Sequence, residues 1–308
     1  MLDSYTVDLS GKVAVVTGSG RGLGLAYASA LARAGAAVVV NDVDEAAAEQ
    51  AVKTITEAGG RAVAEVAAVG TGEAAERLVA RAVEEFGRLD VMVTNAGILR
   101  DRVLWKMTDE DFDAVVTTHL RGTFTCARAA AVRMREQGEG GSLILVGSPA
   151  GQRGNFGQTN YSAAKAGIAA MVRTWSMELA RAGINVNAIV PVAATAMTET
   201  IPAFAPYIEA MKEGQPLPDF LRKTEGFGTA DDCAALVPFL ASGHAREVTG
   251  QCVGIGGDRL TLWSHPREAS VAYADGGWTP ETIAAAWPTS VGADPESVGI
   301  PAPKIPGA

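Results

Sequence analysis

Apolar residues along this chain fall into short blocks separated by longer stretches of helical spacing. Val13-Ala14-Val15-Val16, Leu143-Ile144-Leu145-Val146 and the runs at 37–41, 61–66, 91–93, 184–190 and 251–255 suit strands buried on both faces. Between them, 25–34, 44–58, 73–86, 108–136, 160 to about 182 and 230–241 carry alanine-rich helical patterns. Thr108-Asp109-Glu110-Asp111 marks one helix start, a capping hydroxyl followed by acids. Strand and helix alternate, which predicts an α/β fold: a doubly wound parallel sheet of seven strands with helices on both faces.

Two segments break the alternation. Residues 192–228 mix prolines, small residues and apolar residues without clean periodicity. At the carboxyl edge of a sheet this is a candidate substrate lid, with a plain long connection as the alternative. Residues 258–308 follow the last predicted strand and hold Trp263, Trp278 and Trp287. Disordered tails are poor in aromatics, so this extension is expected to pack, either around a neighbouring subunit or over the substrate pocket. Thr279-Pro280 reads as a helix start within it. The expected organisation is one domain at 1–257 and an extension at 258–308.

Charge and composition narrow the class. The 308 residues carry a net charge of -9, with no basic block. That argues against nucleic acid or an anionic membrane surface as the main partner. The N-terminal segment lacks a signal-peptide core and no apolar run approaches membrane-spanning length, so a cytoplasmic location is expected. Cys126, Cys233 and Cys252 are scattered and odd in number, which suggests reduced thiols. His119, His244 and His265 have no metal-ligand spacing, and no metal is expected.

Three stretches carry candidate chemistry. Gly18-Ser19-Gly20-Arg21-Gly22-Leu23-Gly24 lies between the first strand and the first helix. Glycines there let backbone approach a pyrophosphate, and the helix N-terminus favours its charge. Asp42 stands at the end of the second strand, where a carboxylate accepts the hydroxyls of an adenosine ribose and repels a 2'-phosphate. Its alternative is a helix cap, a job Asp44 could take instead. Arg21 is a competing signal, a cation able to welcome a phosphate. Asp42 outweighs it, and NAD is the expected cofactor. The third stretch is Tyr161-Ser162-Ala163-Ala164-Lys165. An i,i+4 pair shares one helix face, so an ammonium lies beside a phenol and favours its deprotonation. Ser148 ends the preceding strand and could bring a hydroxyl to the same point.

With Thr17-Gly18-x-x-x-Gly22-x-Gly24, Asn95-Ala96-Gly97, Ser148 and Tyr161-x-x-x-Lys165 in order, residues 8 to 257 resemble the short-chain dehydrogenases/reductases. Residues 95–102, His119-Leu120-Arg121-Gly122 and Gly154-Asn155-Phe156-Gly157-Gln158 are similar to the (3R)-hydroxyacyl-CoA dehydrogenase domain of peroxisomal multifunctional enzyme type 2. Arg100, Asp101 and Arg102 also read simply as a solvated loop. The resemblance implies a Rossmann-type fold and hydride transfer between NAD and a secondary alcohol, first of all a 3-hydroxyacyl-CoA, with a bulky or steroid-derived acyl group admissible. A hydroxysteroid or other secondary-alcohol dehydrogenase, a 3-oxoacyl-thioester reductase and a non-enzymatic dinucleotide-binding protein are the alternatives. By the same resemblance, Gly18, Arg21, Gly22, Leu23, Gly24, Asp42, Val69, Asn95, Ala96, Gly97 and Pro191 bind the cofactor together with Tyr161 and Lys165. Ser148, Tyr161, Lys165 and His119 form the catalytic set. His119 stands where many relatives have an asparagine that supports a water relay. It also reads simply as a core helix residue. Ala68 and Val192 depart from the usual aspartate and glycine. A homo-oligomer, dimer or tetramer, is implied.

Overall fold

The computed structural model describes residues 5–194 and 204–301. The seven expected strands form, and all are parallel: β1 (Val13–Val16), β2 (Ala37–Asp42), β3 (Arg61–Val66), β4 (Val91–Thr94), β5 (Gly141–Val146), β6 (Ile184–Pro191) and β7 (Cys252–Gly256). The extension adds an eighth, β8 (Arg259–Trp263), which pairs antiparallel with β7. The spatial order is β3-β2-β1-β4-β5-β6-β7-β8. Consecutive crossovers run one way from β1 to β3 and the other way from β4 onward. The carboxyl ends of β1 and β4 therefore flank a crevice that neither set of helices covers.

Each face of the sheet has its own core. Alternate residues of β1 point to opposite sides, Ala14 and Val16 to one cluster and Val13 and Val15 to the other. On the first face, α1 (Gly22–Arg33), α2 (Glu45–Glu57), α9 (Ala230–Ala234) and α10 (Leu236–Ala241) supply residues such as Tyr27, Leu31, Ile55 and Leu240. On the second, α3 (Gly72–Phe86), α5 (Gly122–Gln137) and α7 (Thr159–Glu178) supply Leu78, Met134 and Ile168. The single helix expected over 230–241 is interrupted at Ala235. Pro238, in the second piece, has no amide hydrogen with which to continue the helical ladder. The three cysteines are free and buried, and burial pushes the Cys126 and Cys233 thiols up to about 12. Among the described residues, no helix is long and apolar enough to cross a membrane.

The helix expected over 108–136 begins as predicted, with Thr108 accepting from the Asp111 amide. It is not uniform, however. After α4 (Asp109–Val116) the chain makes a π-helical turn at Thr117–Arg121 before α5. One wide turn rotates His119 relative to a regular helix, and such insertions recur at functional sites.

The described part of the expected lid, from 204 on, is more structured than its mixed composition suggests. It holds α8 (Ala205–Lys212) and a π-helical segment, Phe220–Glu225. Ile208, Leu217, Leu221 and Phe227 form a third, small core. Arg222 fastens it by bonding Asp232 at 3.1 Å and Asp258 at 2.6 Å. Residues 195–203 of that expectation lie outside the described residues.

Candidate active site

A single cleft of about 1320 Å³ opens along the carboxyl ends of the parallel strands. Every expected cofactor-binding or catalytic residue lines it: Gly18, Arg21, Gly22, Leu23, Gly24, Asp42, Val69, Asn95, Ala96, Gly97, His119, Ser148, Tyr161, Lys165 and Pro191. The third core faces it too, through Phe204 and Phe227.

At one end the glycine loop is held so tightly that no side chain would fit at Gly18 or Gly24. Gly18 has φ +60°, and a Cβ on it would lie 2.7 Å from Ala96 Cα. A Cβ on Gly24 would strike the Gly18 carbonyl oxygen and come within 2.6 Å of Asn95 Nδ2. Asn95 itself donates to the carbonyls of Thr17 and Gly18 at 3.0 and 2.9 Å, tying β4 to the loop. The α1 helix has no side-chain cap and no acidic residue in its first turn. Its first amides are thus available to an anion.

Asp42 is buried at the end of β2 and accepts from Gly20 N at 3.0 Å and Asp44 N at 3.2 Å. Asp44, not Asp42, caps α2 by accepting from Ala47 N. Arg21 is exposed and paired with Asp44 at 2.7 Å, so its charge is already met. This end fits a dinucleotide: a cradle without side chains, open helix amides, and a carboxylate at the strand terminus. Ala68, which departs from the usual aspartate, contributes only an apolar surface to the wall.

At the other end, β5 delivers Ser148 as the N-cap of α6 (Pro149–Arg153), and α7 delivers Tyr161 and Lys165 one turn apart. The Ser148 hydroxyl acts on the Tyr161 phenol, lowering its pKa, and accepts from Ala150 N at 3.2 Å. The Lys165 ammonium lies 5.6 Å from the Tyr161 ring centroid and donates to the Val146 carbonyl at 2.6 Å. Lys165 is buried, and that burial pushes its pKa down to about 7. The expectation that this ammonium beside the phenol lowers its pKa needs correction. Burial raises the Tyr161 pKa, the Ser148 hydrogen bond lowers it, the Asp101 charge raises it, and the net direction is upward. The i,i+4 spacing places the cation near the ring, but burial sets the direction of the shift.

His119 is buried beside this group, edge-on to the Tyr161 ring with centroids 5.1 Å apart. Its Nε2 lies 2.8 Å from the Ile98 carbonyl oxygen and 3.1 Å from the Ile98 amide. It donates to the first or accepts from the second according to tautomer. Burial, reinforced by the Lys165 charge, pushes its pKa down to about 3 against the raising effect of Ile98. The imidazole is therefore neutral at ordinary pH. A Cβ on Gly97 would collide with this ring, so glycine there is a packing requirement.

Two contributions were not visible in the sequence. Asn160, fully buried, donates to the carbonyls of Arg100 and Asp111 at 3.0 Å each and accepts from Tyr161 N at 2.8 Å. It locks the start of α7 to the loop after β4. The same loop is fastened by Gln158 to Asp101 at 2.7 Å and by Arg102 N to the Gly157 carbonyl at 2.8 Å. The stretch Arg100-Asp101-Arg102 is thus docked against the approach to Tyr161, not merely solvated. A buried asparagine before a tyrosine carries no signal until its distant carbonyl partners are known.

Comparison with known proteins agrees with this geometry. Residues 12–205 match the short chain dehydrogenase family. The chain is 43% identical over 293 residues to the hydroxyacyl-CoA dehydrogenase ChsB1 of Mycobacterium tuberculosis, covering 91% of this chain and 88% of that one. It is 38% identical to the 3-oxoacyl-(acyl-carrier-protein) reductase FabG of Thermotoga maritima, over 81% of this chain and 98% of that one. It is 42% identical to the peroxisomal multifunctional enzyme type 2 of Mus musculus over 62% of this chain, but that match spans only 27% of the larger protein. Among solved structures, a short chain dehydrogenase from Mycobacterium avium superposes with a TM-score of 0.81 at 34% identity, covering 96% of this chain and 99% of that one.

Proposed function

Because the chain belongs to the short chain dehydrogenase family and is an oxidoreductase acting on CH–OH groups, we propose that it oxidises a 3-hydroxyacyl-CoA with NAD. The observation that carries this reading is the meeting of Ser148, Tyr161 and Lys165 in one cleft with the glycine loop and Asp42, the Lys165 ammonium 5.6 Å from the Tyr161 ring centroid.

Bound NAD supplies the hydride acceptor. The loop at 18–24, Asp42 and the Asn95-Ala96-Gly97 backbone would hold it, with Pro191 bordering its nicotinamide end. Ser148 donates a hydrogen bond to the substrate oxygen and steadies it as the carbon gains carbonyl character. Tyr161 removes the carbinol proton. Lys165, in its protonated form below about pH 7, holds positive charge behind the phenol as that proton leaves. Neutral His119 props the 95–98 backbone and the Tyr161 ring.

A thioester substrate draws support from the name of the relative ChsB1 and from the size of the cleft. About 1320 Å³ exceeds the roughly 300–1,000 Å³ of a typical single-ligand site, leaving room for a dinucleotide and a bulky acyl group. The expected result is a kcat/KM for 3-hydroxyacyl-CoA at least about 100-fold above that for the matching free alcohol, the scale of binding energy from remote substrate parts. Equal rates would transfer the assignment to a hydroxysteroid or other secondary-alcohol dehydrogenase.

The preference for NAD rests on Asp42, with Arg21 already neutralised by Asp44. Asp42→Ala should lower the ratio of kcat/KM with NAD to that with NADP by about 10-fold or more, since one charged hydrogen bond is worth roughly 1.5–3 kcal/mol. Steady-state kinetics with both cofactors measures this, and an unchanged ratio contradicts the role.

A further inference from the structure

The extension does more than add an edge strand. Alternation along β8 turns Thr261 and Trp263 into the cleft and leaves Leu260 and Leu262 exposed on the other side. From 264 to 298 most side chains are exposed. The chain then returns to the site. Arg153 Nε donates to the Gly299 carbonyl at 2.8 Å, and Nη2 reaches the Ser297 carbonyl at 3.2 Å and hydroxyl at 2.9 Å. Gly299 N donates back to the Arg153 carbonyl at 2.8 Å. The two residues beyond this clip, Ile300 and Pro301, line the cleft.

We infer that residues 297–301 form a specificity strap, clipped by Arg153, that presents Ile300 and Pro301 as an apolar wall for a bulky acyl group. Three observations converge on it. The clip uses both backbone directions and a forked guanidinium, so it fixes the strap's path and not just its proximity. Ile300 lines the cleft yet is 42% exposed, an apolar side chain that a ligand would cover. Arg153 also ends the short α6 helix that Ser148 begins, so strap and reacting end are referenced to one rigid piece. A small acyl group fills little of so large a cleft, whereas a fused-ring or long acyl group gains from every wall it meets. The inference rests on the preceding reading only in taking the substrate to be an acyl-bearing secondary alcohol.

The test compares two 3-hydroxyacyl-CoA substrates, one with a four-carbon acyl chain and one with a fused-ring acyl group. Ile300→Trp narrows the wall and Arg153→Gln releases the strap. Each should lower the ratio of kcat/KM for the bulky thioester to that for the short one by about 10-fold, the scale of a misfitted apolar pocket. The loss should appear in KM for the bulky substrate and not in kcat. Ile300→Ala, which can only remove contact, should give a smaller change of the same sign. Parallel losses on both substrates in all three variants would mean a purely structural clip and overturn the inference, as would an unchanged ratio. If thioesters prove no better than free alcohols, the thioester reading fails on its own. The same variants tested on a large and a small secondary alcohol then still decide the strap.

Discussion

Tyr161→Phe is expected to lower kcat/KM by about 1,000-fold, within the range of roughly 100- to 10,000-fold supplied by a positioned acid–base group. The substitution removes one oxygen and keeps the ring. The edge-on contact with His119 at 5.1 Å and the Lys165 ammonium at 5.6 Å both involve that ring, so their geometry should persist. The glycine loop and Asp42 are untouched, so dinucleotide affinity should stay within about threefold of the parent, consistent with independent sites adding nearly without coupling. Stopped-flow turnover and dinucleotide titration by calorimetry separate the two quantities. Because burial raises the phenol pKa, the phenolate fraction of the parent enzyme should grow as pH rises. Retention of a tenth or more of the parent rate in the variant would remove Tyr161 from the chemistry.

Lys165→Met should combine a loss of activity above about 100-fold with a gain in stability, and the gain should depend on pH. The ammonium is buried, and its hydrogen bond to the Val146 carbonyl at 2.6 Å does not neutralise its charge. Burial moves its pKa from 10.5 to about 7. Between those values the unfolded chain binds a proton that the folded chain does not, so stability increases as pH rises through the window. Below pH 7 the folded chain carries the full cost of a buried charge, on the order of a few kcal/mol at about 1.4 kcal/mol per pKa unit. Methionine removes that cost and leaves the Val146 carbonyl short of a donor, an offset of about 1–3 kcal/mol. The net expectation is a midpoint higher by about 5 °C at pH 6, using roughly 2–4 °C per kcal/mol for a domain of this size. The advantage should shrink toward pH 10. Melting curves of both proteins at pH 6, 8 and 10 decide it; a variant less stable than the parent at pH 6 would show that Lys165 is structurally favourable.

The two ends of the cleft differ in how far they could be read from sequence. The glycine loop was legible because strand, turn and helix are contiguous, and local backbone sterics do not require distant partners. Asp44 takes the cap of α2, as its position suggested, which leaves Asp42 to the strand terminus. Tyr161 and Lys165 were legible as a helical pair, but the sign of the pKa effect was not. Spacing reports proximity, whereas desolvation depends on everything packed around the pair.

His119, Asn160 and Arg153 mark where sequence reasoning stopped. The π turn that sets His119 lies inside a pattern that reads as one helix. Asn160 works through carbonyls 60 and 49 positions away, and Arg153 through residues 144 and 146 positions away. Of the tail's three tryptophans only Trp263 lines the cleft, Trp278 and Trp287 being exposed, and β8 and the Arg153 clip are what bring the tail back to it.

Short-range rules therefore determined the parallel α/β sheet, its helix caps, the glycine cradle and the order of the reacting residues. These depend on side-chain periodicity and on backbone conformations that neighbours along the chain dictate. The tertiary structure alone decided the protonation balance of Tyr161 and Lys165, the docking of 100–102 and the wall built by the extension. Each of those is set by burial and by hydrogen bonds between segments far apart in the chain, which no local pattern encodes.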